Sequence, residues 1–179
     1  MFINIITPCS RPENLKLISE SINIPAQKYR WIVVFDGFTY EEEDIPNNCE
    51  AYCIKDSNSI YGNAQRNYGI DLVNEGHLYF NDDDTEINER LWENIKNLDE
   101  DFISFGQLNK DGTLRLEGKI VAVGYIDSHN FIVSRECVGD TRWNLSRYDA
   151  DGVFAHECYK HAKTKKYIPK ALSVYNSLK

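Results

Sequence analysis

The chain has 179 residues, of which 42% are hydrophobic and 27% charged, and its formal net charge is −8. This size and apolar content suit one folded domain with a full core. The negative charge argues against a broad nucleic-acid-binding surface, which needs a basic face. No segment approaches the ~20 apolar residues of a membrane helix, and the N-terminus lacks a signal-peptide pattern. The odd number of cysteines, without zinc-site spacing, favours a reducing, cytoplasmic location.

Short apolar runs alternate with helical patterns along the first hundred residues. The predicted strands are Phe2–Ile6, Trp31–Phe35, Ala51–Ile54, His77–Phe80 and Phe102–Phe105. One predicted helix begins near Ser10, which has the capping-box spacing to Glu13. Two more are predicted over about Asn63–Val73 and about Glu86–Leu98. This alternation predicts an α/β sheet with parallel strands and right-handed crossovers.

The pattern becomes mixed after about residue 100. The segment Gly106–Gly118 contains a Lys-Asp-Gly turn and is predicted to form a hairpin. Further strands are predicted over Lys119–Val123 and Asn130–Ser134. A helix over about Asp151–Ala162 and an extended run over Tyr167–Tyr175 complete the chain. The first half therefore has a nucleotide-binding organisation, and the second half is mixed.

Three consecutive carboxylates, Asp82, Asp83 and Asp84, directly follow the strand that ends at Phe80. Carboxylates this close resist ionisation unless a cation joins them, and Mg²⁺ or Mn²⁺ prefers oxygen ligands. Open α/β sheets bind ligands at the carboxyl ends of their strands. In an extended segment Asp82 and Asp84 point the same way, so these two are predicted to converge on a metal. The alternative is an acidic helix N-terminus that the helix dipole stabilises.

Three other positions place charged groups near predicted strand ends or helix starts. Arg66 lies at a helix entry that suits an anion, where it could reach a diphosphate or balance the carboxylates, or remain a surface residue. Asp36, which ends the second strand, could bind a ribose or base, or belong to an Asp-Gly turn. Asp151 opens the late helix as a candidate general base or as a helix N-cap. His77 and His129 are expected to be lone structural residues.

Together these segments resemble the inverting family-2 glycosyltransferases of the GT-A fold. The family's opening loop is matched by Thr7-Pro8-Cys9-Ser10-Arg11-Pro12, and its strand ending in Asp is matched at Asp36. Its G-x-x-x-A/x-R-N-x-G-I element and the acidic motif that follows are matched by Gly62–Ile70 and Leu78–Asp84. The match covers about residues 3–100.

The similarity is weaker in the second half. Val138–Trp143 resembles the family's glycine-rich acceptor loop, and Ala150-Asp151 resembles its E-D catalytic motif. Ala150 stands where the first acid of that motif would be. Only Asp151 therefore remains as the candidate base.

The resemblance implies a metal-dependent glycosyltransferase with a mostly parallel central sheet, flanking helices and a mixed C-terminal half. Residues 1–179 would form one domain, with a nucleotide-sugar-binding half over about 1–100 and an acceptor and catalytic half over about 101–179. The reaction would move a sugar from a nucleoside-diphosphate sugar, with UDP-sugars favoured, to a hydroxyl of a glycan or another acceptor. The resemblance implies inversion at the anomeric carbon and Mn²⁺ or Mg²⁺ as cofactor.

The resemblance also assigns roles to individual residues. Asp84 would hold the metal, with Asp82 as a second ligand or ribose partner, and Asp151 would deprotonate the acceptor. The implied donor-binding residues are Thr7, Pro8, Arg11, Asp36, Arg66, Asp82 and Asp83. Trp143 would stack on an acceptor sugar or belong to the core.

Other functions stay open at this point. A sugar-1-phosphate nucleotidyltransferase has a similar sheet, but its GxGTRL-type loop is missing here. A non-catalytic nucleotide-sugar or carbohydrate-binding module derived from a transferase is compatible with Ala150. The basic segment Lys160–Lys166 is expected to be a solvated helix end, with peripheral membrane contact as the alternative.

Overall fold

The computed structural model describes residues 1–37, 40, 45–55 and 61–179. The described strands are β1 (Ile3–Cys9), β2 (Tyr29–Asp36), β3 (Glu50–Ile54), β4 (His77–Phe80), β5 (Phe102–Leu108), β6 (Leu114–Leu116), β7 (Phe131–Ser134) and β8 (Lys165–Val174). The described helices are α1 (Leu15–Ser21), α2 (Asn63–Asp71), α3 (Leu91–Ile95), α4 (Arg135–Val138) and α5 (Ala150–His161). Short 3₁₀ turns cover Pro12–Asn14, Ala26–Lys28 and Ser128–Asn130.

The described strands form one sheet in the order β3-β2-β1-β4-β7-β5-β6, and β8 also pairs with β5. β1 is parallel to β2 and β4, and β2 is parallel to β3. β7 is antiparallel to β4 and β5, whereas β8 is parallel to β5. The chain order reverses at β1, between β2 and β4. A crevice is expected outside the carboxyl ends of these strands.

The central strands are buried on both faces. In β1, Ile5 packs in the layer that contains Leu15 of α1 and Leu91 of α3. The next residue, Ile6, packs in the opposite layer with Ile70 of α2 and Phe154 of α5. Burial on both faces explains why the predicted strands read as continuous apolar runs rather than alternating ones.

The predicted helix over Glu86–Leu98 is wrong in its first turn and in its length, since α3 covers Leu91–Ile95 only. The amide of Glu86 donates to Ser177 Oγ at 2.8 Å, and the amide of Ile87 donates to Ser21 Oγ at 3.0 Å. Tertiary hydrogen bonds therefore satisfy these amides outside a helix. The apolar face that predicted the helix is nevertheless buried.

The hairpin predicted within Gly106–Gly118 is formed by β5 and β6. The strand predicted over Lys119–Val123 is wrong, because that segment is a loop. It packs on the first turn of α5 so closely that a Cβ on Gly152 would lie 2.6 Å from Val123 Cα. This loop therefore forms a wall beside Asp151.

Among the residues that the structure describes, no helix is long and apolar enough to cross a membrane. The longest of them, α5, has 12 residues. Within the described part of the chain, no disulfide is formed by Cys9, Cys49, Cys137 or Cys158. Cys9 is buried, and burial raises the pKa of its thiol to about 12, which fits a structural rather than a nucleophilic residue.

Candidate functional site

A cavity of about 750 Å³ opens at the carboxyl ends of β1, β2 and β4. Its walls come from the loop after β1, the start of α2, the acidic run after β4, the loop before β7 and the start of α5. The predicted site residues that line it are Pro8, Arg11, Asp36, Arg66, Asp82, Asp83, Asp84, Trp143 and Asp151. The fold thus brings together residues that lie up to 143 positions apart in the sequence.

Asp83 holds the loop after β1 in place. Its carboxylate accepts hydrogen bonds from the amides of Ser10 and Arg11 at 2.5 and 2.8 Å, from Ser10 Oγ at 2.9 Å and from Arg11 Nη1 at 2.6 Å. The predicted capping box is therefore wrong, because the Ser10 hydroxyl donates to Asp83. Instead, α1 has Asn14 at its N-cap and no side-chain cap.

We expect Asp83→Ala to lower the free energy of unfolding by about 1–3 kcal/mol, because it removes the acceptor of four partly buried hydrogen bonds from Ser10 and Arg11. Denaturant unfolding measures this loss. Glu86→Gln is the matched control, since Glu86 is an exposed carboxylate in the same segment. Equal unfolding midpoints for the two variants would contradict the anchoring role of Asp83.

Arg66 is a buried partner of the acidic run. Its Nη2 donates to Asp82 Oδ1, its Nη1 donates to the Tyr61 carbonyl at 2.6 Å, and its guanidinium lies 4.7 Å from the Trp143 ring centroid. With Arg66 only 5% exposed, the surface-residue alternative is excluded. Burial alone would raise the pKa of Asp82, but the Arg66 guanidinium reverses this and holds the pKa well below its usual range.

Asp84 lies beside two other cations. Its Oδ2 is 2.6 Å from Lys179 Nζ and 3.3 Å from Arg11 Nη1. The segment is also a turn rather than an extended strand, because the amide of Thr85 donates to the Asp82 carbonyl. Each of the three carboxylates therefore has its own cationic side chain. The repulsion that the sequence argument assigned to a metal is already relieved by the protein.

The donor atoms still fit a divalent ion that is shared with a substrate. In the described part of the chain, no group of three or more His, Cys, Asp or Glu side chains is arranged to hold a metal. Mg²⁺ sites at phosphates commonly use only one or two protein carboxylates. Asp82 and Asp84 both line the cavity, and Lys179, whose side chain is 48% exposed, is the partner that an ion would displace.

Asp151 lies in the first turn of α5 and lines the same cavity. Burial, and then the nearby Asp127 carboxylate, raise the pKa of Asp151 to about 6. A carboxylate that is ionised at neutral pH and more basic than usual suits a general base. The N-cap alternative is wrong, since Asp149 occupies the N-cap of α5.

Ala150 packs in the hydrophobic core with Phe154 and Trp143. An acid at this position would be buried among apolar side chains. Ala150 therefore has a packing role in the core.

Sequence reasoning missed Asp127 and misjudged His129. Asp127 Oδ2 accepts a hydrogen bond from Arg115 Nη1 at 2.6 Å. His129 is not lone, because the Asp82 amide donates to its Nε2 at 3.0 Å. Since β7 is antiparallel to β4, the residues that precede β7 lie at the edge where β4 ends. The polar run from Asp127 to Asn130 before a buried strand is the signal that could have found them.

The structure corrects two predicted contacts. Thr7 does not line the cavity: its side chain is fully buried and accepts a hydrogen bond from Trp31 Nε1 at 3.0 Å, so its predicted donor contact is wrong. Trp143 is 3% exposed and stacks against Phe154 with the ring centroids 4.8 Å apart. A ring this buried has no open face for a sugar, so Trp143 lies beneath the site rather than on its acceptor surface.

No protein-family model and no curated protein matches this chain. Among solved structures, S. aureus TarS 1-349 in complex with UDP-GlcNAc matches with a TM-score of 0.78 and 15% identity over 97% of this chain and 58% of that one. TarS 1-349 with UDP gives the same TM-score at 16% identity, covering 97% and 60%. The mannosyltransferase PcManGT from Pyrobaculum calidifontis, in complex with GDP-Man and Mn²⁺, gives 0.67 at 9% identity, covering 97% and 56%.

These similarities show the GT-A glycosyltransferase fold that the sequence predicted. The chain spans less than two thirds of the length of each of these structures.

Proposed function

We propose that this chain is a glycosyltransferase that moves a sugar from a nucleoside-diphosphate sugar to an acceptor hydroxyl, with inversion. The observation that carries the proposal is one cavity, at the switch point of a GT-A sheet, that holds both an acidic and cationic cluster and a carboxylate with a raised pKa. The structures that share the fold include complexes with UDP-GlcNAc, UDP and GDP-Man, which supports a nucleotide-sugar donor.

The donor side of the cavity lies over β1, β2 and β4. Asp36, at the end of β2, and the loop from Pro8 to Arg11 would contact the nucleoside, with uridine favoured. The Arg11 and Arg66 guanidiniums would contact the diphosphate, since arginine recognises phosphate oxygens well. Asp84 and Asp82 would hold Mn²⁺ or Mg²⁺, which when bound neutralises charge on the leaving diphosphate.

The acceptor hydroxyl would lie between Asp151 and the anomeric carbon. The Asp151 carboxylate takes the hydroxyl proton while the acceptor oxygen bonds to the anomeric carbon. The bond from that carbon to the diphosphate oxygen breaks on the opposite face, so the configuration inverts. Asp127 and burial together raise the basicity of Asp151, and the Arg66–Asp82 pair keeps the donor side rigid.

A non-catalytic nucleotide-sugar-binding module is the rival function. Its main support in the sequence is Ala150, which packs in the core. A module that only binds would not need a partly buried carboxylate with a raised pKa. Transfer is therefore the function that we favour.

Calorimetric titration with uridine, guanosine and thymidine diphosphates, each with and without Mn²⁺, tests the donor site. We expect one of them to bind tightly with Mn²⁺ and much more weakly without it. Incubation with the matching sugar nucleotides and an acceptor panel then tests transfer by release of the nucleoside diphosphate. No binding under any condition would reject the proposal, and binding without transfer would favour the module.

The raised pKa of Asp151 predicts the acid limb of the pH profile. An essential base acts only when deprotonated, so kcat/KM should be constant well above pH 6. It should fall about tenfold per pH unit below the pKa of about 6. Initial rates between pH 4.5 and 8.5, at donor concentrations well below KM, measure this limb. A profile that stays flat down to pH 4.5 would remove Asp151 as the base.

A further inference from the structure

Two exposed tyrosines stand at the mouth of the cavity, beside the base. Tyr61 is 62% exposed and Tyr148 is 76% exposed, and both line the cavity. Their ring centroids lie 5.0 Å apart at an interplanar angle of 79°, an edge-to-face pair. Tyr61 lies two residues before the start of α2, and Tyr148 lies three residues before Asp151. The pair therefore joins the donor half of the cavity to its catalytic half.

The backbone of Tyr61 is held in an unfavourable conformation. Its φ angle is 56°, in the left-handed region that non-glycine residues avoid. The Tyr61 carbonyl accepts a hydrogen bond from Arg66 Nη1, and Arg66 is buried and paired with Asp82. Strain that surrounding contacts maintain at a site points to a functional role for the side chain that it orients.

An apolar side chain also lies at the mouth beside Asp151. Val123 is exposed, lines the cavity and packs against Gly152, which follows the base. Aromatic and aliphatic groups of this kind pack against the C–H face of a sugar ring.

The net charge of the cavity also bears on the charge of the acceptor molecule. Among the described residues, seven carboxylates and four cationic side chains line it. A donor diphosphate and a divalent ion would nearly cancel each other, so the excess of negative charge would remain. An anionic acceptor would be repelled, whereas an uncharged one would not.

We propose that Tyr148 and Tyr61 form the acceptor platform, and that the acceptor is an uncharged pyranoside whose ring packs on Tyr148 with a hydroxyl directed at Asp151. This inference rests on the proposed transferase function and names its second substrate class. Tyr148 carries the test, because Tyr61 also bonds to Arg66 through its backbone.

Saturation-transfer NMR with UDP and Mg²⁺ present is the direct measurement. The neutral probes are methyl β-glucopyranoside, methyl α-mannopyranoside and N-acetylglucosamine; ribitol and glucose 6-phosphate are the open-chain and anionic comparisons. At least one pyranoside should bind the wild-type protein, and both comparison compounds should bind more weakly. Tyr148→Ala should weaken pyranoside binding about tenfold, and Tyr148→Phe should retain it.

Tyr125→Ala is the matched control, since Tyr125 is also exposed, at 57%, and does not line the cavity. It should bind the pyranoside as the wild type does, and UDP affinity should be unchanged in every variant.

Pyranoside binding that survives Tyr148→Ala would overturn the inference. A Tyr148→Ala variant that loses UDP affinity rather than pyranoside affinity would also overturn it. If ribitol or glucose 6-phosphate binds more tightly than every neutral pyranoside, the acceptor is not an uncharged pyranoside. If UDP binds but none of the pyranosides does, only the acceptor platform is rejected. If no nucleotide binds, the proposed function itself is rejected.

Discussion

Asp151→Asn is expected to lower the rate of sugar transfer by about 10²–10⁴-fold while donor affinity stays unchanged. The amide keeps the size of the side chain but cannot take a proton from the acceptor. Asp151 lies in the first turn of α5, whereas the carboxylates that would bind the metal follow β4. Steady-state rates and calorimetric titration of UDP with Mn²⁺ measure the two effects separately.

The stability of Asp151→Asn provides an internal check. The pKa of Asp151 is raised in the folded protein, so above pH 6 its ionised form opposes folding, and this opposition disappears as the group protonates below pH 6. The neutral Asn variant should therefore be at least as stable as the wild type at pH 7.5. Glu157→Gln, on the same helix and outside the cavity, is the control for activity. Full turnover by Asp151→Asn would remove this residue from the mechanism.

Asp84→Asn is expected to abolish the metal-dependent part of donor binding and leave the fold intact. Loss of a group that merely supports a metal ligand costs 10–100-fold in affinity, so loss of a ligand itself should cost more than about 100-fold. UDP affinity measured with and without Mn²⁺ gives the ratio that tests this. In the variant the two affinities should become nearly equal.

The contacts of Asp84 distinguish this result from misfolding. The Asn variant leaves Arg11 and Lys179 without that carboxylate, so UDP binding in the absence of metal should be at least as tight as in the wild type. Glu86→Gln should keep the wild-type ratio. An unchanged dependence on Mn²⁺ in Asp84→Asn would place the metal elsewhere and reject Asp84 as its ligand.

The strand positions in the first hundred residues were predictable from the sequence. β1, β2 and β4 are buried on both faces, so each reads as a short continuous apolar run, and the acidic run follows β4 directly. Ligands bind at the carboxyl ends of such strands, and this rule located the cavity wall around Asp82. Asp151, a candidate base from its place at the start of the late predicted helix, lies in the same cavity.

Contacts across the fold were not predictable, because they depend on strand order and direction. Asp127 and His129 reach the site only because β7 runs antiparallel beside β4. Thr7 turns into the core because its hydroxyl accepts from Trp31.

The sequence by itself therefore determined the buried strands, the acidic run and the class of fold, since these depend on local apolar runs and motifs. The tertiary structure decided which cation neutralises each carboxylate and which polar residues surround the base. The pairs Asp82–Arg66, Asp83–Arg11 and Asp84–Lys179 join segments 16, 72 and 95 residues apart. Such pairing depends on distances in space that no local pattern records, and it is why acids that seemed to need a metal are already neutralised by the protein.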